Sequence, residues 1–163
     1  MSQMRRKDRE LKELAEIEEI IRNAQVCHVA MADSDNPYVL PFNFGYKDKT
    51  IYIHCAREGT KLDILRKNPK VCVVIDIDHE LVEGEKAENF SWKYRSVVGF
   101  GTAEIIEGDE IQAKSEALDI LMLQYTDKKF DCPEKVILKT TIIKITLDSM
   151  TGKSHGYKDK DKS

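Results

Sequence analysis

From Tyr38 to Tyr46 every second residue is aromatic or aliphatic: Tyr38, Leu40, Phe42, Phe44 and Tyr46. A period of two puts these five on one face of an extended strand, and Val39, Pro41, Asn43 and Gly45 on the other. That pattern makes no single helical face, so it commits the chain to a sheet. Asp48-Lys49 can turn the chain, and a second strand is predicted from Thr50 to Cys55. In it Ile51, Ile53 and Cys55 share one face, while Tyr52 and His54 share the other. Arg57-Glu58-Gly59-Thr60-Lys61 then opens a helix predicted to reach about Asn68. The stretch from Pro37 to Lys61 thus offers a flat apolar wall and two polar groups, Asn43 and His54, set in apolar strands. It ends on a helix start beside a hydroxyl and a lysine, where backbone N–H groups suit a phosphate. A phosphorylated aromatic cofactor needs such parts.

The rest of the chain supplies elements to surround that stretch. Leu11, Leu14, Ile17, Ile21 and Ala24 recur at helical spacing within residues 1–25, with Asp8 as the predicted cap. Strands are predicted from Val26 to Ala32, Val71 to Asp78, Ser91 to Glu107 and Thr141 to Leu147. Asp33-Ser34-Asp35-Asn36-Pro37 makes a hairpin turn, and Asn68-Pro69-Lys70 stops the helix before it. Gly99 and Gly101 inside a strand point to a bend or a close backbone approach. His79 to Asn89 is polar, has no clear period and reads as a loop. A second amphipathic helix is predicted from Ile111 to about Thr126, with Ala117, Leu118, Leu121 and Met122 toward the core. Residues 131–140 carry no decisive signal, and 153–163 read as a frayed, charged tail. Six short strands, several joined by hairpins, predict a mainly β (α+β) single domain. Its form is a six-stranded antiparallel barrel with flanking helices, which leaves no apolar edge bare.

Composition narrows the function classes. The chain has 163 residues, 41% hydrophobic and 34% charged, enough for one folded domain with its own core. A formal net charge of −3 argues against a general nucleic-acid binder. No apolar run approaches the roughly 20 residues of a membrane helix. The charged start (Arg5, Arg6, Lys7, Asp8, Arg9, Glu10) has no apolar run behind it, which predicts no signal peptide. Cys27, Cys55, Cys72 and Cys132 form no Cys-x-x-Cys pair and are expected as reduced packing residues in a cytoplasmic protein. The histidines and cysteines lack zinc-ligand spacing. Gly152-Lys153-Ser154 imitates the end of a P-loop, but the upstream glycine would fall at Leu147, so that motif is rejected. Trp92 and Tyr94 read as core or as interface residues.

Several segments together carry a resemblance. They are Met4-Arg5-Arg6, Pro37-Tyr38-Val39-Leu40-Pro41-Phe42-Asn43-Phe44-Gly45-Tyr46, Ile51-Tyr52-Ile53-His54-Cys55-Ala56, Gly59-Thr60-Lys61, Asn68-Pro69-Lys70-Val71, Ser96-Val97-Val98-Gly99-Phe100-Gly101 and Met150-Thr151-Gly152-Lys153. In this order and spacing the chain resembles the FMN-binding split-barrel superfamily, which includes pyridoxamine-phosphate oxidase. Within it the chain is similar to the nitroimidazole-resistance (Nim-type) proteins. The resemblance implies a split barrel and a homodimer with FMN at its interface. It implies that Val39, Leu40, Pro41, Phe42, Asn43 and Phe44 lie along the flavin ring edge. It further implies that Ile53, His54, Thr60 and Lys61 hold the phosphate side, and that Ser96 meets the cofactor from a neighbouring strand or the partner subunit. His54 then lies near the reactive face and is the candidate catalytic residue, as a proton donor. The implied activity is flavin-dependent reduction of a small flat aromatic such as a 5-nitroimidazole. A second class stays open: the same fold serves as a non-catalytic module for haem, a deazaflavin or FMN.

Overall fold

The structure, a computed structural model, describes residues 5–157. In chain order its elements are β1 (Glu10–Leu11), α1 (Leu14–Asn23), β2 (Cys27–Asp33), β3 (Asn36–Phe42), β4 (Gly45–Lys47) and β5 (Thr50–Cys55). There follow α2 (Thr60–Lys67), β6 (Lys70–Val82), β7 (Ser91–Ile106), α3 (Ile111–Leu123), α4 (Glu134–Leu138) and β8 (Thr141–His155). The eight strands form one antiparallel sheet in the order β3-β2-β6-β7-β8-β5-β4, and β1 adds to β8. The mainly antiparallel fold with flanking helices is the one expected. The strand count rises from six to eight, through β1 and through a break in the long alternating strand.

That break organises the molecule. The expected strand from Tyr38 to Tyr46 is β3 and β4, parted by Asn43 and Phe44. β3 pairs with β2 at one end of the sheet, and β4 pairs with β5 at the other. The chain therefore steps from one edge of the sheet to the other within two residues, which curls the sheet around its core. β3 and β4 do not pair with each other, so the sheet stays open. Side alternation survives the step: Tyr38, Leu40, Phe42 and Tyr46 pack against the core, Phe44 is fully buried, and Val39 and Pro41 face out.

The core fills the inside of the curl. Ile20 and Ile21 of α1 meet Val29, Phe44, Ile51, Ile53, Val73, Val97, Ile143 and Ile145 from the strands and Leu62 from α2. α3 closes the opposite face of β4 and β5, where Tyr52 packs with Ile106, Ala117 and Ile142. Asp48 and Lys49 both take positive φ, 48° and 59°, as a two-residue hairpin turn of the kind matched to strand twist requires. A Cβ on Gly101 would stand 2.3 Å from the Thr146 carbonyl oxygen, which is the close backbone approach expected there.

Other boundaries moved. The predicted helix at 61–68 is α2, Thr60–Lys67. Asp8 does not cap α1: it lies in a short 3₁₀ turn, Lys7–Arg9, and Leu11 belongs to β1. β6 runs on through His79 to Val82, so the polar loop shrinks to residues 83–90. A bulge at Asp78, with φ of 58°, resets the register there and hides the continuing strand from period counting. The uncertain 131–140 segment holds α4. β8 extends eight residues past Leu147, and Lys153, Ser154 and His155 pair with Ser96, Arg95 and Tyr94. The expected tail therefore starts later, and residues 158–163, like Met4, lie outside the described residues. No helix among the described residues is long and apolar enough to cross a membrane.

Candidate functional site

Asn43 sits in the step between the two sheet edges, with its side exposed. The β4–β5 register runs Lys47 to Thr50, Tyr46 to Ile51 and Gly45 to Tyr52. Continued by two residues, that register sets the buried Phe44 opposite the buried Ile53, and Asn43 opposite His54. Both polar residues are exposed, at the point where the chain leaves β3 for the β4–β5 edge. The Phe44 backbone N–H does not go to β5. It donates to the Tyr125 hydroxyl at 2.9 Å, and that hydroxyl donates to the Gln25 carbonyl at 2.7 Å. Tyr125, just past α3, thus fixes the backbone beside Asn43, and no sequence signal marked it for that task. An amide that donates and accepts beside an imidazole can meet a ring edge carrying carbonyls and N–H groups.

Six residues after His54 the chain enters α2 through Gly59, whose φ of 132° is one that side chains rarely adopt. Only the tip of Lys61 comes near the site of a Gly59 Cβ, at 3.8 Å, so the approach is open. No side chain caps α2. The first-turn N–H groups of Thr60 and Lys61 have no intrahelical partner and face that opening with the helix dipole behind them. Thr60 is exposed and Lys61 half-buried. Burial pushes the Cys55 thiol up, and the Lys61 charge beside it pulls the other way, which places the amine at the end of β5. The Lys67–Asp33 ion pair at 3.7 Å and the Asn68 bond to the Ala32 carbonyl at 3.3 Å fix the opposite end of α2 at the β2–β3 turn.

β3 contributes an edge. It pairs only with β2, so half of its backbone groups point away from the sheet. Val39 and Pro41 look outward, in register with Ala30 and His28, Cys72 and Val74, and Phe100 and Val98. This outer face is apolar and no helix covers it: Val39 is 54% and Phe100 44% exposed. Leu40 and Phe42 turn inward and are half-buried, while Phe44 and Ile53 are fully buried, so these four have little but backbone to offer a ligand.

Ser96 is not with the others. It pairs with Lys153 on β8, whereas His54 pairs with Ile142, eleven residues earlier. At about 3.3 Å per residue that is roughly 35 Å of strand. One protomer therefore brings together Asn43, His54, Thr60 and Lys61 at one end and sets Ser96 at the other. Trp92, at 55% exposure, is no core residue; it stands across from the exposed Leu81. A pocket of about 270 Å³ between β4 and α3, lined by Arg22, Tyr46, Lys47, Ile120, Leu123 and Gln124, contains none of the predicted residues.

The residues present fit a flavin phosphate. An uncapped helix start, an open glycine turn and a lysine converge within one short segment, next to an exposed amide and imidazole. Two carboxylates lie near that start: Glu58 is exposed, and Asp63, in the first turn of α2, is engaged by Arg66 at 3.2 Å.

The sequence profile described as pyridoxamine 5'-phosphate oxidase matches residues 13–154. No curated protein matches the chain. Among solved structures, a candidate 5-nitroimidazole antibiotic resistance protein from Bacteroides thetaiotaomicron is 35% identical, with 89% of this chain and 86% of that chain covered and a TM-score of 0.79. The flavocytochrome Anf3 from Azotobacter vinelandii is 20% identical over 96% of this chain and 75% of its own, with a TM-score of 0.80. The FAD and haem binding protein from Mycobacterium smegmatis is 20% identical over 93% and 76%, with a TM-score of 0.77. The last two show a shared fold.

Proposed function

The chain belongs to the pyridoxamine 5'-phosphate oxidase family, and from that premise we propose that it is an FMN-binding oxidoreductase that reduces small flat nitroaromatics. The observation that carries this reading is the likeness, over most of both chains, to the Bacteroides protein named for 5-nitroimidazole resistance. The site supports it. Lys61 and the free N–H groups of α2 hold the phosphate, charge against charge. The β3 edge and the Asn43 amide meet the polar rim of the ring through hydrogen bonds that can run in both directions. When bound, FMN would supply the electrons for reduction. Nitro reduction also consumes protons, and His54, exposed beside Asn43, holds one for a substrate oxygen.

The proposal includes a cytoplasmic homodimer. The apolar outer face of β3, β2, β6 and β7 is the surface that a second copy would cover. Ser96 lies along that same face, and a two-fold partner could bring it to the flavin that its own protomer's Lys61 cannot share. The absorbance spectrum of freshly purified protein, followed by anaerobic reduction of a 5-nitroimidazole, tests the reading. Flavin bands and turnover are the expected result. A Soret band without flavin would replace it with the haem-binding alternative, and flavin without turnover would reduce it to a binding module.

A further inference from the structure

At the far end of β8, from Lys153 to His155, lies a group of side chains that the proposed flavin site does not use. β1 hangs on β8 there, with Glu10 opposite Lys153 and Leu11 opposite Gly152, which brings Arg9 beside the end of β8. Tyr94 of β7 pairs with His155, their rings 6.0 Å apart. Lys153 Nζ lies 5.7 Å from the centre of the Tyr94 ring, and the Ser91 hydroxyl is 3.2 Å from His155 Nε2. The charges in this group do not cancel. Arg6 takes Asp8 through two bonds, at 2.8 and 2.6 Å. Arg9 has only that already engaged carboxylate, at 4.0 Å. Its Nε is the one buried side-chain polar atom among the described residues without a hydrogen-bond partner. Lys153 has no ion pair among the described residues, although Glu10 stands across from it in register.

The surplus acts on two neighbouring groups. Burial opposes ionisation of the Tyr94 phenol, yet bonds to Lys153 and Arg9 pull its pKa below the ordinary value. Burial and then the charges of Arg9 and Arg6 push His155 down, with Asp8 only partly offsetting them. Two cations, one with an orphaned donor and neither with a carboxylate of its own, meet at the Tyr94 hydroxyl, and the Ser91 hydroxyl lies against His155 beside the same ring. That is a multidentate oxyanion receptor.

We infer that Arg9, Lys153, Tyr94 and Ser91 form a second anion site, which takes a nucleotide phosphate other than the one held at Lys61. The nucleotide character rests on the flavin reading above: the group lies on the same sheet face as Ser96 and continues the surface where a flavin would meet its partner protomer. The phosphate can arrive on the adenylyl half of FAD or on a reduced nicotinamide donor. The chain carries no Rossmann glycine pattern, so a donor must be held by some other device.

The test uses the full-length protein, with and without FMN, and ADP as the probe, followed by isothermal titration calorimetry. ADP should bind, and adenosine should bind at least about tenfold more weakly, since charge-assisted hydrogen bonds are lost with the phosphates. Lys153→Gln and Arg9→Gln, on separate elements and both partly exposed, should each weaken ADP by about tenfold or more. Lys61→Ala should leave ADP affinity unaltered. If the source is FAD, Lys153→Gln lowers affinity for FAD but not for FMN. If it is the donor, Lys153→Gln raises the KM for NADH or NADPH while FMN affinity holds. Either result supports the site. Absence of ADP binding, equal binding by both glutamine variants with native circular dichroism, or loss of ADP on Lys61→Ala would overturn it. A protein that binds ADP in this pattern but takes up no flavin would support the anion site and refute the flavin proposal.

Discussion

Gly45→Ala probes the contact that seats α3 on the sheet. A methyl group at Gly45 would stand 2.5 Å from the Leu121 Cα and 2.6 Å from the Ile120 carbonyl carbon and oxygen. Ordinary contact begins near 3.4 Å, so the shortfall is roughly 0.9 Å, and the obstructing atoms are backbone that cannot rotate aside. Gly45 is not among the residues of positive φ, so alanine is allowed there and would by itself stabilise by about 0.4–1 kcal/mol through the unfolded chain. Overpacking of this kind costs about 1–3 kcal/mol, and rigid backbone puts the cost at the upper end. The net is about 2 kcal/mol of destabilisation, which lowers the melting temperature of a chain this size by about 4–8 °C. Gly108→Ala is the control. It has φ of 66° with nothing within 4 Å of the added carbon, so it should lose only the roughly 1 kcal/mol of a left-handed alanine. Thermal and urea unfolding followed by circular dichroism would rank the two. A Gly45→Ala protein as stable as the wild type, or more stable than Gly108→Ala, would refute the packing argument. Because Tyr125 follows α3 and holds Phe44, the same substitution should also weaken flavin binding beside Asn43.

The other expectations are functional. Lys61→Ala should weaken FMN by about 1.5–3 kcal/mol, the worth of a charge-assisted hydrogen bond, and leave riboflavin untouched; equal losses for both would remove the phosphate assignment. His54→Ala should keep most bound FMN and lose about 10²–10⁴-fold in nitroimidazole turnover. Wild-type turnover in that variant would show that His54 donates no proton, and total loss of flavin would make it a binding residue. Light scattering of the loaded protein at micromolar concentration should give twice the chain mass, and a monomer mass would count against the shared interface. Burial pushes the Cys27 thiol up to about 12. Iodoacetamide at pH 8 should therefore spare it in native protein, as peptide mass spectrometry would show; rapid native labelling would mean that β2 opens readily.

The alternating run from Tyr38 to Tyr46 shows what pattern can and cannot reveal. It correctly assigned sides: Tyr38, Leu40, Phe42 and Tyr46 inward and Val39 and Pro41 outward. It could not show that pairing changes partner at Asn43, because alternation records which side a residue faces and not which strand it meets. The same blindness hid the ends of β6 and β8. At Asp78 a positive φ inserts a bulge, and the period restarts out of phase. Past Leu147 the inward position falls on Gly152, where a Cβ would come within 2.6 Å of the Ile17 side chain. Leu11 and Ile17 supply the apolar bulk there from elsewhere in the chain, so β8 itself reads as polar. The grouping of Asn43, His54 and Lys61 was legible, since one short segment carries all three. The Arg9–Lys153–Tyr94 group was not, since β7, β8 and the 3₁₀ turn that leads into β1 bring it together from distant parts of the chain. Nothing about Tyr125 in sequence announces a bond to Phe44, which lies 81 positions away.

β8 follows every strand it pairs with. It runs beside β5 through Thr141–Thr146, beside β7 along nearly its whole length, and beside β1 at Gly152–Lys153. During translation, then, the β4–β5 hairpin, though joined to β3 through Asn43 and Phe44, has no strand pairing with the β3-β2-β6-β7 half until the last of these strands leaves the ribosome. Until that moment one long edge of β7 and one of β5 wait unpaired, with Ile51, Ile53 and Val97 uncovered. Such distant pairing makes closure slow relative to synthesis of any one hairpin. A nascent chain stalled before Thr141 would be a pair of half-sheets, each with a sticky margin. The final strand is the point at which a vulnerable polypeptide becomes a protein.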